Sequence, residues 1–220
     1  MAYTPTVWKN GEFPPIDAEH LNKIEQGIAN SAPGGFGLGE LTGRTANSFS
    51  DITGYGFYRI PSESGFAPDT SSNWGAAFIG ASLSYGTLLY ARNNALMAVR
   101  SISNGEVGPI EWINPPMDLG VEYRTTERYL GKPVYAKAVD CGKIADGKEV
   151  EHGIDNMLYC IFAQGLRGGM PMPVIFNHNL SDPWSCYISH VTSTKVRFEC
   201  GTSAAGGNCA VLFKYIKTTD

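Results

Sequence analysis

The chain has 220 residues, room for one to three small domains at about 100–200 residues each. Its 17 basic and 21 acidic residues leave a net charge of −4, a poor endowment for gripping phosphate backbones, which needs clustered Lys and Arg. No stretch reaches the roughly 18 apolar residues of a membrane span, and the first fifteen residues lack the charged and apolar regions of a secretory leader. Neither nucleic-acid binding nor membrane insertion is therefore expected. Hydrophobic residues at 43% can build a core, while 26 Gly, 13 Pro and 11% aromatics indicate a turn-rich, mainly β chain, because flat rings pack well on a pleated surface.

In chain order, the spacing predicts one helix, over residues 16–30. Pro14 and Pro15 stop anything earlier, Asp17 can cap the first turn and Glu19 complements its dipole. Leu21, Ile24 and Ile28 then fall at i, i+3 and i+7, a narrow apolar seam. So thin a stripe, on about four turns, needs partners. One reading docks it on this chain's own β domains; the other joins identical helices from several chains through Leu21, Ile24 and Ile28. The Gly-rich run over 33–42 follows as a flexible linker. It superficially matches a phosphate-cradling loop, but neither the strand before nor the periodic helix after that such a loop needs is present.

Residues 43–116 read as a small β module. Gly54–Ile60 forms a strand closed by Pro61, Leu88–Ala91 is another, Asn104-Gly105 is a hairpin turn, and Pro115-Pro116 stops the strand ending at Ile113. Residues 117–220 form a second β region with clearer alternation. Lys195–Cys200 places Val196, Phe198 and Cys200 on one side, and Cys209, Val211, Phe213 and Tyr215 line one face of the last strand. In Val134–Val139, Val134, Ala136 and Ala138 oppose Tyr135, Lys137 and Val139. The denser apolar runs Met157–Ala163 and Met172–Phe176 are expected to be covered on both faces. Short strands with turns at Asp146-Gly147, Gly168-Gly169 and Gly206-Gly207 predict an antiparallel β-sandwich or jelly roll.

Chemistry-bearing patterns are sparse. The four histidines, His20, His152, His178 and His190, lack metal-ligand spacing, so no metal or other cofactor is expected, and His152 and His190 are read as satisfied sheet or loop residues. No nucleophile elbow occurs. Asp140, Asp155 and Asp182 are carboxylates that no motif pairs; no catalytic residue is assigned. Cys141, Cys160, Cys186, Cys200 and Cys209, an odd set without a secretory leader, are expected as thiols, with disulfides the alternative. One loop combines aromatic and polar groups: Asn177, His178, Asn179 and Asp182 as polar contacts, with Trp184 and Tyr187 as ring faces for a sugar. The same residue types also build ordinary turns.

The run Tyr3–Gly11 followed by Pro14-Pro15-Ile16-Asp17-Ala18-Glu19-His20-Leu21-Asn22-Lys23-Ile24-Glu25-Gln26-Gly27-Ile28 resembles the N-terminal segment of tail-fibre and baseplate proteins in phages and prophages of Firmicutes. Asp17 and His20 stand where that family usually has Asn. Residues 43–113, with Ile52–Ile60, Asn73-Trp74-Gly75 and Glu111-Trp112, resemble the knob module of pyocin and phage tail fibres, and Thr126–Tyr135 through Val150–Ile154, with Tyr215–Asp220, resemble the domain that ends many such fibres. The resemblance implies a non-enzymatic homotrimer in the virion tail, made in the bacterial cytoplasm. Residues 1–32 would attach it to other tail or baseplate proteins and join the chains, with a linker over 33–42, a knob over 43–116 and a sandwich tip over 117–220. Host-surface carbohydrate is the expected ligand of the tip. A purely structural tail spacer, a free-standing cytoplasmic binding domain and a cell-envelope glycan depolymerase are the rival readings.

Overall fold

Turn chemistry cuts the chain into short strands, and the computed structural model, which describes residues 21–24, 44–172, 174, 185–203 and 205–219, is mainly β. Of the predicted helix, residues 21–24 are described and are helical. Ile28, the linker over 33–42 and the loop residues 177–184 lie outside the described residues. The chain divides into two compact units, one taking residues up to Asn93 with Arg100–Gly108, the other Asn94–Val99 with Pro109 onward.

The first unit is built from β1 (Arg44–Thr45), β2 (Gly56–Ile60), β3 (Trp74–Ser82), β4 (Tyr85–Ala91), the Arg100–Ser103 half of β5 (Met97–Ser103) and β6 (Glu106–Val107). These strands pair in that order, β1 parallel to β2 and β2–β3–β4 antiparallel. Tyr58, Ala76 and Tyr90 stand opposite one another across three strands and, like Trp74, Phe78 and Leu88, are buried. Alternation puts these on one side of the sheet. At the β3–β4 hairpin end the backbones approach so closely that a Cβ on Gly80 would lie 2.4 Å from the Tyr85 carbonyl oxygen, which only glycine allows. The β5–β6 turn is Asn104-Gly105, with φ of 54° and 80°, as its sequence predicts.

The second unit is a two-layer sandwich. Its larger sheet runs β7 (Glu111–Asn114), β8 (Glu122–Tyr129), β9 (Lys132–Lys143), β15 (Asn208–Lys217), β11 (Met157–Arg167), β12 (Met170–Met172). Its smaller sheet runs β10 (Glu149–Glu151), β14 (Lys195–Cys200), β13 (Cys186–Val191). β7 pairs in parallel with β8; the Pro115-Pro116 pair ends it as expected. The inner faces meet in one core of Val139, Cys141, Ile144, Met157, Met172, Ile188, Val196, Phe198, Cys209, Val211, Phe213, Tyr215 and neighbours. The alternation read in β14 and β15 is therefore the alternation of the core.

Two expectations are corrected here. Met157–Ala163 is not covered on both faces: Leu158, Tyr159 and Phe162 are exposed, Tyr159 to 54%. The apolar run supplies only one face to the core, and the smaller sheet covers only the inner side. Bulges between Met157 and Tyr159 and between Cys160 and Phe162 also break the two-residue period that would have separated the faces in sequence. Second, Cys186 and Cys200 are not thiols but a disulfide, Cα atoms 4.2 Å apart. They stand directly opposite in the antiparallel β13–β14 pair, a register that sequence spacing cannot disclose. Cys141, Cys160 and Cys209 are free.

Candidate binding surfaces

Of the six residues predicted to hold a ligand, Asn177, His178, Asn179, Asp182 and Trp184 lie outside the described residues, and only Tyr187 is placed. Tyr187 sits on β13, 1% exposed, its hydroxyl donating to Glu199 Oε2 at 2.8 Å. A ring so enclosed presents no face to a sugar. The C-terminal base of the loop is firmly held: the Gly201 amide donates to the Ser185 carbonyl at 2.9 Å, the Cys200 amide to Asp146 Oδ1 at 3.2 Å, and the disulfide joins the next pair of residues.

A second surface emerges from the strand register. Residues directly opposite in a sheet point to the same side. Opposite the core, the larger sheet sets Phe162 beside Lys214, Leu166 beside Ala210, and Gln164 and Ala138 on either side of Leu212. Leu119, bridged in parallel to Ala138, extends the row. Phe162, Leu166 and Leu119 are exposed, the last to 59%. Between Leu119, Leu166 and Ala210 lies an open depression of about 370 Å³, with Asp140 and Asn208 among its polar lining. The Asp140 carboxylate is occupied in part, accepting the Gly142 amide at 2.8 Å. Exposed apolar side chains grouped on one face, here with Gln164 and Lys214 among them, mark an interaction site more often than a scattered exposed residue does. The sequence carries no signal for it, because an apolar strand residue reads alike whether its own chain covers it or not.

The charged groups of the second unit are mostly consumed internally. Glu111 accepts Arg128 through both carboxylate oxygens at 2.7 Å and Arg124 Nε at 2.9 Å. Burial would raise its pKa; the bonds from Arg128 and Arg124 outweigh that and hold the carboxyl below its usual range. Arg124 also donates to the Tyr135 hydroxyl at 3.1 Å, and Tyr135 stacks on Tyr215, ring centres 6.0 Å apart. Lys217 donates to Glu122 at 2.5 Å while lying 4.7 Å from the centre of the Tyr135 ring. This network clamps β7, β8, β9 and β15 together.

His152 is a structural residue, as read from sequence. It is buried, its Nε2 lying 3.2 Å from the Thr192 carbonyl and its Nδ1 accepting the Ile154 amide at 3.2 Å. His190 is an exposed strand residue. Among the described residues no three His, Cys, Asp or Glu side chains are grouped to hold a metal ion, and Asp140 and Asp155 are separate exposed carboxylates. Burial pushes the Cys141 thiol up to about 12 and the Cys209 thiol up to about 11, so both stay protonated at neutral pH.

No protein-family model and no curated protein matches the chain. Solved structures similar to it are an N-truncated R2-type pyocin tail fibre and the C-terminal part of the R1 pyocin fibre of P. aeruginosa. The first is 8% identical with a TM-score of 0.26, over 79% of this chain and 94% of that one. The second is 9% identical with a TM-score of 0.27, over 80% and 66%. Likeness this faint assigns neither fold nor role.

Proposed function

We propose that the chain is one subunit of a homotrimeric phage or prophage tail-fibre or baseplate component, acting by binding rather than catalysis and contacting host-surface carbohydrate. The observation that carries the self-association is the uncovered apolar face of the second unit. Fully burying one Leu or Phe side chain is worth about 1.5–3 kcal/mol. Covering Leu119, Phe162 and Leu166 from another copy would supply association energy that a lone chain forgoes. The N-terminal residues agree with this reading. Leu21, in the predicted seam, is helical and 50% exposed, as expected of a seam that waits for another helix. The N-terminal sequence run, with its resemblance to tail and baseplate proteins, is the ground for placing the assembly in a virion tail.

Carbohydrate contact rests on the composition of the loop over 177–184. A glycan array with the purified chain, alongside Trp184→Ala, tests it. Retained folding with lost glycan binding is the expected result; binding by neither protein contradicts it. One observation favours a structural spacer instead: Tyr187, half of the expected aromatic pair, is enclosed at 1% exposure, with its hydroxyl on Glu199. Absence of any binding to host cells would select that reading.

A further inference from the structure

On the core side of the first unit's sheet there is an arginine with no acceptor among the described residues. Ala98 and Ile102 of β5 are almost fully buried, and Arg100, two residues from each, shares their side of the strand. Its guanidinium carbon lies 5.3 Å from the centre of the Phe66 ring. The same ring meets Tyr90 edge-on, centres 6.1 Å apart and planes at 74°. Tyr90 is wholly buried and Phe66 nearly so. Yet neither the Tyr90 hydroxyl nor the Arg100 Nε, both enclosed atoms, has a hydrogen-bond partner among the described residues. Arg92, the residue just after β4, shows what is missing. It lies 4.9 Å from the centre of the Trp74 ring and is supplied with a carboxylate, Asp69, at 3.0 Å. No described carboxylate does the same for Arg100.

We propose that Arg100 and Tyr90, both packed against the Phe66 ring, form an anion site that takes the carboxylate or phosphate group of a ligand. A guanidinium only donates hydrogen bonds and always carries its charge. Burial raises the Tyr90 phenol far above its ordinary pKa, against the opposing effect of the Arg100 cation, so that hydroxyl remains a donor. Two donors and one uncompensated positive charge are matched by an oxyanion. Water or a neutral hydroxyl would satisfy the hydrogen bonds and leave the charge. Arg100 is the half-buried member of the cluster and is therefore where an anion arrives from solvent, with the planar fork suited to two oxygens at once. The inference needs only one chain and stands whether or not the protein belongs to a tail.

The test is a series of thermal melts of the full chain in chloride, with sodium phosphate, sodium acetate or glucose added at matched ionic strength. A ligand that binds only the folded state raises the melting temperature by mass action. Phosphate or acetate should give a saturating rise and glucose none, and the stronger of the two anions identifies the preferred group. Tyr90→Phe should melt with the wild type in chloride, since its hydroxyl has no partner to lose, and should bind several-fold more weakly. Arg100→Met keeps the stem on Phe66 and should lose the rise altogether. If that variant does not fold, Arg100→Lys, which keeps the charge without the fork, should show affinity reduced about tenfold. No anion-specific rise in the wild type, an equal rise with glucose, or wild-type affinity in Tyr90→Phe or Arg100→Lys would overturn the site.

Discussion

His152 illustrates how a single enclosed side chain fixes a pH response. Its Nδ1 accepts an amide hydrogen from Ile154, which leaves the Nε2 hydrogen to donate to Thr192 and leaves no room for a second ring proton. Burial is the main cause of its lowered pKa; the Lys137 ammonium adds to it, while the Thr192 carbonyl and Glu151 oppose. In the unfolded chain the ring titrates near its ordinary value of about 6.5. Below that pH the unfolded state takes up a proton that the native state refuses, so stability is full above about pH 6.5 and falls as the pH drops toward the folded pKa. Urea midpoints measured from pH 7.5 to 5 should decline. His152→Gln should flatten that decline, and an unchanged slope would remove His152 as its cause. Nothing at this scale was legible beyond the residue's being structural: its Nε2 partner, Thr192, lies in the β13–β14 turn, 40 residues away in sequence.

At the scale of elements, strands β14 and β15 were readable because one apolar face met one core, so alternation survived intact in Val196, Phe198 and Cys200 and in Cys209, Val211, Phe213 and Tyr215. Turns were readable where glycine must take positive φ, as at Gly105 and at Gly168-Gly169. Strand β11 was not, since its bulges and bare outer face erase the contrast on which the period depends. Pairing between strands was equally hidden, which is why the cross-strand disulfide was missed. It closes a loop of 14 residues in sequence, worth about 3 kcal/mol by the chain-entropy account. Reduction, or the paired change of Cys186 and Cys200 to Ala, should therefore lower the unfolding free energy by about 2–3 kcal/mol. Native protein treated with an alkylating reagent should leave Cys141 and Cys209 unmodified, because both are buried protonated thiols. Rapid labelling of Cys186 and Cys200 without reductant would contradict the pairing.

For the whole molecule, the decisive features are the helical Leu21, half exposed, and the apolar outer face of the second unit. The sequence shows the first plainly and conceals the second, because the seam is a spacing and the face is a register. Five of the predicted sugar contacts, Asn177, His178, Asn179, Asp182 and Trp184, lie outside the described residues, and their role rests on composition. The two association surfaces make separable contributions. Replacing Leu21, Ile24 and Ile28 with Asp should weaken assembly if the seam dominates, and Phe162→Lys with Leu166→Glu should do so if the sheet face dominates. Either set leaves the core of Val196, Phe198, Val211 and Phe213 untouched, so a lost oligomer with an unchanged melting profile of the monomer separates association from folding. The most direct measurement is the mass of the unmodified chain in solution by light scattering. Three times the 23.8 kDa chain mass is the expected result, and a stable species of one chain mass at every concentration would contradict the account.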